Sequence, residues 1–483
     1  MPAWAQEAGR SMAITPTFSA SETYTETRNS VTRPNGGEFI TRISPGLSIT
    51  SRSGRVKGSL NYSLNALHRS EQIDANERQH ALSAAFTAEA VENWAFVDTR
   101  ATISQQSLSA FGQQSAPDST QANTNRAEVG TASFSPYLRG ALGGAVNYEV
   151  RLNASINEVR GQSASDSNTT GGSVSLSSAS TGSRLGWAVT ANQQTTDYKA
   201  GRNTSSERAN LSLSYRPDHD LQLSLNGGQE SNDVGAVDQR RYDNWGYGAL
   251  WKPTERTSVR FQSDRRYFGR SHALSFEHRM QRSSWSYTDT RDSTSGGDAN
   301  GVGSPITLYE QLFAQLASAQ PDPILREQLV LDTLRALGRD PGEIVRGGLL
   351  NGGVSLQRRR DLSFAWLGQR TTFNLQAFAS QTRLLDNPNG NPDDGGTQLS
   401  GFTSTVSYKL TPQSTLNLNG SKQITKANLI NGGNVLKSAS IGLSTQASRL
   451  IGASLLARYS VFNNDTAPYR ETSVTATLNM QFR

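Results

Sequence analysis

The side chains best suited to acid–base or metal chemistry in this chain are its five histidines, His68, His80, His219, His272 and His278. They are scattered. His272 and His278 flank one candidate strand, but nothing about them has metal-ligand spacing. No GxSxG, HExxH or phosphate-loop motif occurs, and no Ser/His/Asp set can be picked out. The absence of cysteine removes thiolate chemistry, disulfides and Cys-ligated zinc. The expectation is a protein that is not an enzyme and holds no cofactor or metal.

The charged residues are more regular. Residues 146–156 put Val146, Tyr148, Val150, Leu152, Ala154 and Ile156 on one face, and Asn147, Glu149, Arg151, Asn153 and Ser155 on the other. A strict two-residue period means a strand whose faces meet different solvents. The same parity puts Arg42, Asp98, Arg100, Arg260, Asp264, Arg266, Glu277 and Arg458 on polar faces with Glu149 and Arg151. If the polar faces line a wet lumen, charge is tolerated there, whereas a lipid face would penalise it by about 2–4 kcal/mol near the midplane. An excess of arginine would favour anionic solutes or a polyanionic polymer. Arginine–carboxylate pairs that merely brace the wall are an equal reading.

Composition agrees with that picture. Of 483 residues only 35% are hydrophobic, the formal net charge is +6 and the mean hydropathy is −0.56. Disorder would give few aromatics and no periodicity, yet there are 7 Trp, 14 Tyr and 16 Phe. No run approaches the roughly 18 apolar residues of a membrane helix. A membrane β-barrel escapes that test, because lipid touches only alternate residues.

Alternation recurs at Leu82/Ala84/Phe86, Trp245/Tyr247/Ala249/Trp251, Leu455/Ala457/Tyr459/Val461 and elsewhere. Short connections such as 51–55, 91–95 and 252–256 alternate with long polar ones such as 106–125, 157–170 and 385–397. The fold class expected is all-β: a transmembrane antiparallel up-and-down barrel of about 22 strands with both termini on the periplasmic side. Residues 270–293 and 352–386 are the hardest to divide. A serine- and threonine-rich β-helix would need a fixed short repeat, which is absent.

The last stretch, ETSVTATLNMQFR, carries Val474, Leu478, Met480 and Phe482 on its apolar side. It reads as the barrel-closing strand, since pairing last with first removes the exposed edge. An alternating terminal strand ending in an aromatic resembles the signal by which the barrel assembly machinery recognises outer-membrane barrels, although Arg483 follows Phe482 here. At the other end, Ala3-Trp4-Ala5 before Gln6 has the small-x-small form of a signal-peptidase site. Residues 1–12 are therefore expected to be a residual signal-peptide tail and N-terminal segment, and 13–483 a single barrel.

Residues 300–345 break the strand pattern. SPITLYEQLFAQLASA and DPILREQLVLDTLRALG each open on a capping residue followed by proline, and each carries an apolar stripe. Two short amphipathic helices packed together are expected, as a helical insert in one extracellular loop. It would act as a cap on that loop, as a lid or constriction over the lumen, or as a partner-docking element. Arg240-Arg241 and Arg358-Arg359-Arg360 are expected near the rim, within reach of lipopolysaccharide phosphates or simply of solvent. The stretch RFQSDRRYFGR could suggest nucleic acid, but its alternation with Val259 and Phe261 reads as barrel wall, so no nucleic-acid partner is expected.

The segments RYFGRSHALSFEHRMQRSSWSYTDTRD (266–292) and LLNGGVSLQRRRDLSFAWLGQRTTFNLQAF (349–378), with the helical stretch between them, resemble the outer-membrane protein family associated with PEP-CTERM/exosortase systems. The similarity in order runs along nearly the whole chain. It implies export of an exopolysaccharide through the outer membrane of a Gram-negative bacterium. The implied partners are outer-membrane lipid and lipopolysaccharide, periplasmic polysaccharide-export proteins and the polysaccharide itself. It supplies no active-site residues. The alternatives are a general diffusion porin for small or anionic solutes, and a structural or adhesive barrel whose lumen is blocked.

Overall fold

The computed structural model describes residues 12–28, 36–51, 54–71, 77–116, 119–120, 122–161, 166–179, 183–199, 201–234, 240–294, 306–316, 326, 329–330, 333–334, 344–346, 353–385, 396–428, 430–448 and 450–482. Fifteen strands come first: β1 Met12–Arg28, β2 Gly36–Ser51, β3 Val56–Arg69, β4 Glu77–Val91, β5 Ala95–Ser107, β6 Arg126–Leu142, β7 Val146–Val159 and β8 Ser167–Ser178, then β9 Leu185–Tyr198, β10 Thr204–Asp218, β11 Leu221–Asn232, β12 Arg240–Thr254, β13 Thr257–Arg266, β14 Gly269–Arg279 and β15 Ser283–Thr294. A minor unit follows, made of β16 Ile306–Thr307, helix α1 Leu308–Gln315 and β17 Ile344–Arg346. The chain ends with β18 Ser355–Leu367, β19 Thr371–Leu384, β20 Thr397–Lys409, β21 Ser414–Thr425, β22 Asn434–Gln446, β23 Ile451–Asn464 and β24 Tyr469–Gln481.

All strands except β16 and β17 form one 22-stranded sheet in which each pairs antiparallel with the next. β15 passes directly to β18. β24 returns to β1, from Thr17↔Gln481 to Arg28↔Arg470, and closes the barrel. With no free edge, every central ladder group is paired. The first strand starts at Met12, one residue before the expected boundary, and residues 1–11 and Arg483 lie outside the described residues.

The start of β1 and the end of β24 lie at the same rim, where the connections are short. At one of them Gly143 and Gly144 take φ of 58° and 71°, the left-handed pair that a tight hairpin turn needs and a side chain resists. The opposite rim carries the longer connections, including 108–125 and 295–354. Long loops belong to the external side of such barrels.

The faces separate as the period dictates. On β24, Val474 is 43% exposed and Leu478 37%, while Glu471 and Ser473 between the outward positions are buried. Trp245, Tyr247 and Trp251 of β12 are likewise exposed on the outer wall. The outer surface is thus an apolar band that only lipid can cover, and the inner one is polar.

Among the described residues the expected pair of helices over 304–338 shows as one eight-residue helix, α1, with helical positions at 326, 329–330 and 333–334; the rest of the second expected helix lies outside the described residues. Much of 300–345 lies outside the described residues. Leu308 and Leu312 of α1 cluster with Val330 and Leu334, and Arg326 lies 4.7 Å over the Phe313 ring.

Candidate functional site

Interstrand register brings every charged residue singled out by parity onto the inner wall, and most of them into pairs. Arg42 Nε donates to Ser21 Oγ at 3.3 Å. Asp98, Glu149 and Arg151 meet across β5 and β7: Arg151 reaches Asp98 at 2.8 Å and Glu149 at 3.0 Å, and its guanidinium lies 3.8 Å over the Tyr137 ring. Arg100 stands on the same face of β5, opposite Ser133. Arg266 bridges Glu230 at 2.7 Å and Asp292. Asp264 accepts from Asn226 at 3.3 Å and from Gln262 at 2.8 Å. Arg260 is exposed into the bore, opposite Ser275. Glu277 and Arg279 stand 3.9 Å apart, both half-exposed. Arg458 and Glu471 form a buried pair at 2.7 Å. These contacts brace the wall in separate patches. Glu230, Asp292 and Glu471 were legible only as polar-face residues, because their partners lie on other strands.

Among the described residues the connection from β5 to β6 enters the interior. Counted backwards round the closed ring from β5 through β4, β3, β2 and β1, β24 is the fifth strand and β21 the eighth. The connection 108–125 nevertheless reaches that wall. The carbonyl of Ala110 accepts from Thr425 Oγ1 at 3.1 Å and from Asn434 Nδ2 at 2.8 Å. The carbonyl of Phe111 accepts from Asn464 Nδ2 at 3.3 Å, and that of Gln114 from Tyr469 Oη at 2.7 Å. Ser119 Oγ lies 3.3 Å from both carboxylate oxygens of Glu471, and the Thr120 carbonyl accepts from Arg69. The segment is therefore an internal bridge across the external half of the bore.

A coil buried inside a barrel must satisfy its own peptide groups. Asn125 Nδ2 donates to the Ser109 and Gln113 carbonyls at 2.8 and 3.1 Å. Asn123 Nδ2 donates to the Gln113 carbonyl at 3.0 Å, and Gln114 Nε2 to the Ser109 carbonyl at 2.8 Å. Amide side chains here replace the secondary structure the segment lacks. A second element approaches from the far side: β17, between β15 and β18 in the chain, packs against β5, which stands ten strands from β15 in the 22-strand ring.

The wall from β8 to β13 is lined differently. A recess of about 610 Å³ is lined by Thr190, Asn210, Ser212, Ser214, Ser224 and Asn226, together with Arg184, Arg208, Arg216 and Asp264. It is a surface mostly of hydroxyls and amides with a few charged groups, able to exchange hydrogen bonds with a hydroxylated solute.

The histidines do not converge on a site. His219 sits in the turn after β10, 2.8 Å from Asp218 and 2.9 Å from Asp220. Hydrogen bonding to Asp218, with the charge of Asp220, raises its pKa above the ordinary 6.5. His272 meets Asp289 at 3.1 Å on the outer wall, and His278 meets Thr257 at 2.8 Å. Among the described residues no group of three or more His, Asp or Glu could hold a metal ion.

No family model matches the chain, and no curated protein matches it. Solved structures do. The apoprotein form of the FrpB iron transporter from Neisseria meningitidis, F5-1 variant, is 10% identical over 96% of this chain and 81% of its own, with a TM-score of 0.50. The siderophore receptor PirA from Pseudomonas aeruginosa is 10% identical over 97% of this chain and 80% of its own, with a TM-score of 0.44. OccK2 from Pseudomonas aeruginosa, solved in complex with glucuronate, is 8% identical over 97% and 98%, with a TM-score of 0.36. At these identities the likeness is one of fold. A closed 22-stranded barrel, apolar outside and wet within, is an outer-membrane protein of a Gram-negative bacterium.

Proposed function

We propose that the barrel is a non-enzymatic conduit that passes an exopolysaccharide outward across the outer membrane, in a surface system of the PEP-CTERM/exosortase kind. The observation that carries this reading is the hydroxyl- and amide-lined wall of β8–β13. Sugar hydroxyls can trade hydrogen bonds along such a wall without stripping a charge of its water. The bridge at 108–125 is seated on β21–β24 and β3, and its described anchors leave the sugar-compatible wall free. A polymer would slide between the two. The insert over 300–345 serves as a lid at the external mouth, a role supported by the approach of β17 to β5. Periplasmic polysaccharide-export proteins would deliver the polymer, and the barrel assembly machinery would install the barrel through its last strand.

One observation favours a second reading. A bridge fixed to the wall by several hydrogen bonds sets a constant bore, which suits a diffusion porin for small or anionic solutes. A gene deletion separates the two. Loss of surface polysaccharide with small-solute uptake retained supports export. Unchanged polymer with reduced uptake supports the porin. A bilayer recording with no conductance, even after removal of residues 110–116, would instead support a blocked, structural barrel.

A further inference from the structure

The outer wall holds a charge pattern that its lipid-facing parity should forbid. Arg265 and Arg270 stand directly opposite each other across β13 and β14, and Arg291 and Arg358 directly opposite across β15 and β18. These four share the outward parity of Phe261, Leu274, Tyr287 and Phe364 on the same strands. Arg360, next on the outward face of β18, and Arg383 of β19, opposite Leu356, extend the group. Like charges placed directly opposite on neighbouring strands destabilise a sheet.

Within this group the compensation is small. Asp289 is the shared carboxylate, 2.8 Å from Arg358 and 3.4 Å from Arg360. Arg265, Arg270, Arg291 and Arg383 form no ion pair among the described residues. The excess is local. Elsewhere round the barrel the outward positions include Glu22 of β1, Glu158 of β7 and Glu207 of β10, as well as Arg78 of β4. The basic group is also at a defined height, near the external ends of its strands and immediately above an apolar belt that includes Tyr287, Trp285 and Leu362.

We propose that this patch is a binding site for a phosphorylated lipid of the outer leaflet, of the diphosphorylated lipid A type. The phosphates would lie across the Arg265–Arg270 and Arg291–Arg358 pairs, and the acyl chains would run down the apolar belt. Guanidinium groups match phosphate oxygens two at a time. Each opposed pair, unfavourable alone, becomes a clamp once an anion lies over it. The height fits a headgroup and the belt below fits its tails, which is why a lipid suits the surface better than free phosphate.

The test uses the full-length barrel folded in neutral detergent, with diphosphoryl lipid A as the probe and native mass spectrometry as the readout. Arg265→Gln/Arg270→Gln is the principal variant, because neither residue pairs with Asp289. Its retention of the folded barrel is checked by the mobility shift between unheated and heated gel samples. Arg78→Gln on β4 is the control. The double variant is expected to bind diphosphoryl lipid A about tenfold more weakly, a factor within reach of two lost charge-assisted contacts, and the control to bind as the parent does. In detergent without the lipid, the double variant should be as stable to heat as the parent or more so, because a repulsion has been removed. Should it fail to fold, Arg383→Gln gives the same reading with a smaller loss. Equal binding by parent and variant would overturn the site. So would equal binding of dephosphorylated lipid A, or equal heat protection by inorganic phosphate alone.

Discussion

Tyr469 donates its hydroxyl to the carbonyl of Gln114 at 2.7 Å, across 355 residues of sequence. The bond ties the first residue of the closing strand to the middle of the bridge inside the bore. Tyr469 is 1% exposed, stacked on Phe462 at 5.5 Å. Tyr469→Phe keeps the ring and strands the carbonyl. It should cost about 1–3 kcal/mol and loosen the bridge, seen as faster amide exchange at residues 110–116 and noisier single-channel current.

The pair of Arg458 and Glu471 anchors the same region, and Glu471 also accepts from Thr25 at 3.4 Å. Glu471→Gln leaves a buried guanidinium without its counter-charge, at a cost of about 3–5 kcal/mol. The Arg458→Met/Glu471→Leu double variant should lose less than either single change. Urea unfolding in lipid vesicles measures all three. A double variant weaker than both singles would contradict the assignment.

Neighbouring residues on β24 test the parity of the wall. Val474→Arg puts a charge into lipid and should cost about 2–4 kcal/mol, whereas Thr475→Arg, beside Thr23 in the lumen, should cost under about 1 kcal/mol. Comparable losses at both positions would mean that the two faces meet the same solvent.

His219 lies in a short turn outside the membrane span, and its proton is shared with Asp218 and Asp220. Its titration midpoint should sit above 6.5, and Asp218→Asn should move it back. Because the folded state holds the proton more tightly, the contribution of this contact to stability is complete below the unfolded pKa and fades as pH rises through the folded one. The turn is fully exposed, so proton resonances of the ring are a better readout than unfolding.

The barrel was legible because a two-residue period survives any choice of side chain within a class. Val474 and Leu478 had to share a face whatever their partners were. Where that rule failed, chemistry had intervened. β13 and β14 are joined only by Tyr267-Phe268, an apolar pair without a turn signature, and the outer wall nearby carries Arg270, Arg291 and Arg358 where the alternation calls for apolar residues. Residues 270–293 and 352–386 resisted division for that reason. The bridge was invisible for another. A coil has no period, and its anchors are single residues, Asn434, Asn464 and Tyr469, placed near strand ends hundreds of positions away. The density of amides in QANTNR and around Gln114 was the available hint, since a segment that must satisfy its own backbone recruits such side chains. The helical rhythm of 304–338 drew attention to a different connection from the one whose described hydrogen bonds cross the bore.

The bridge also sets an order of events for biogenesis. Its footholds on β21 to β24 are synthesised 315 to 355 residues after the segment itself. Until the seam between β24 and β1 is sewn, the bridge has only its foothold at Arg69 of β3, and the passage of a nascent barrel stands wider. Narrowing of the passage is thus a certificate of completed assembly, withheld from any truncated copy that lacks its final hairpin.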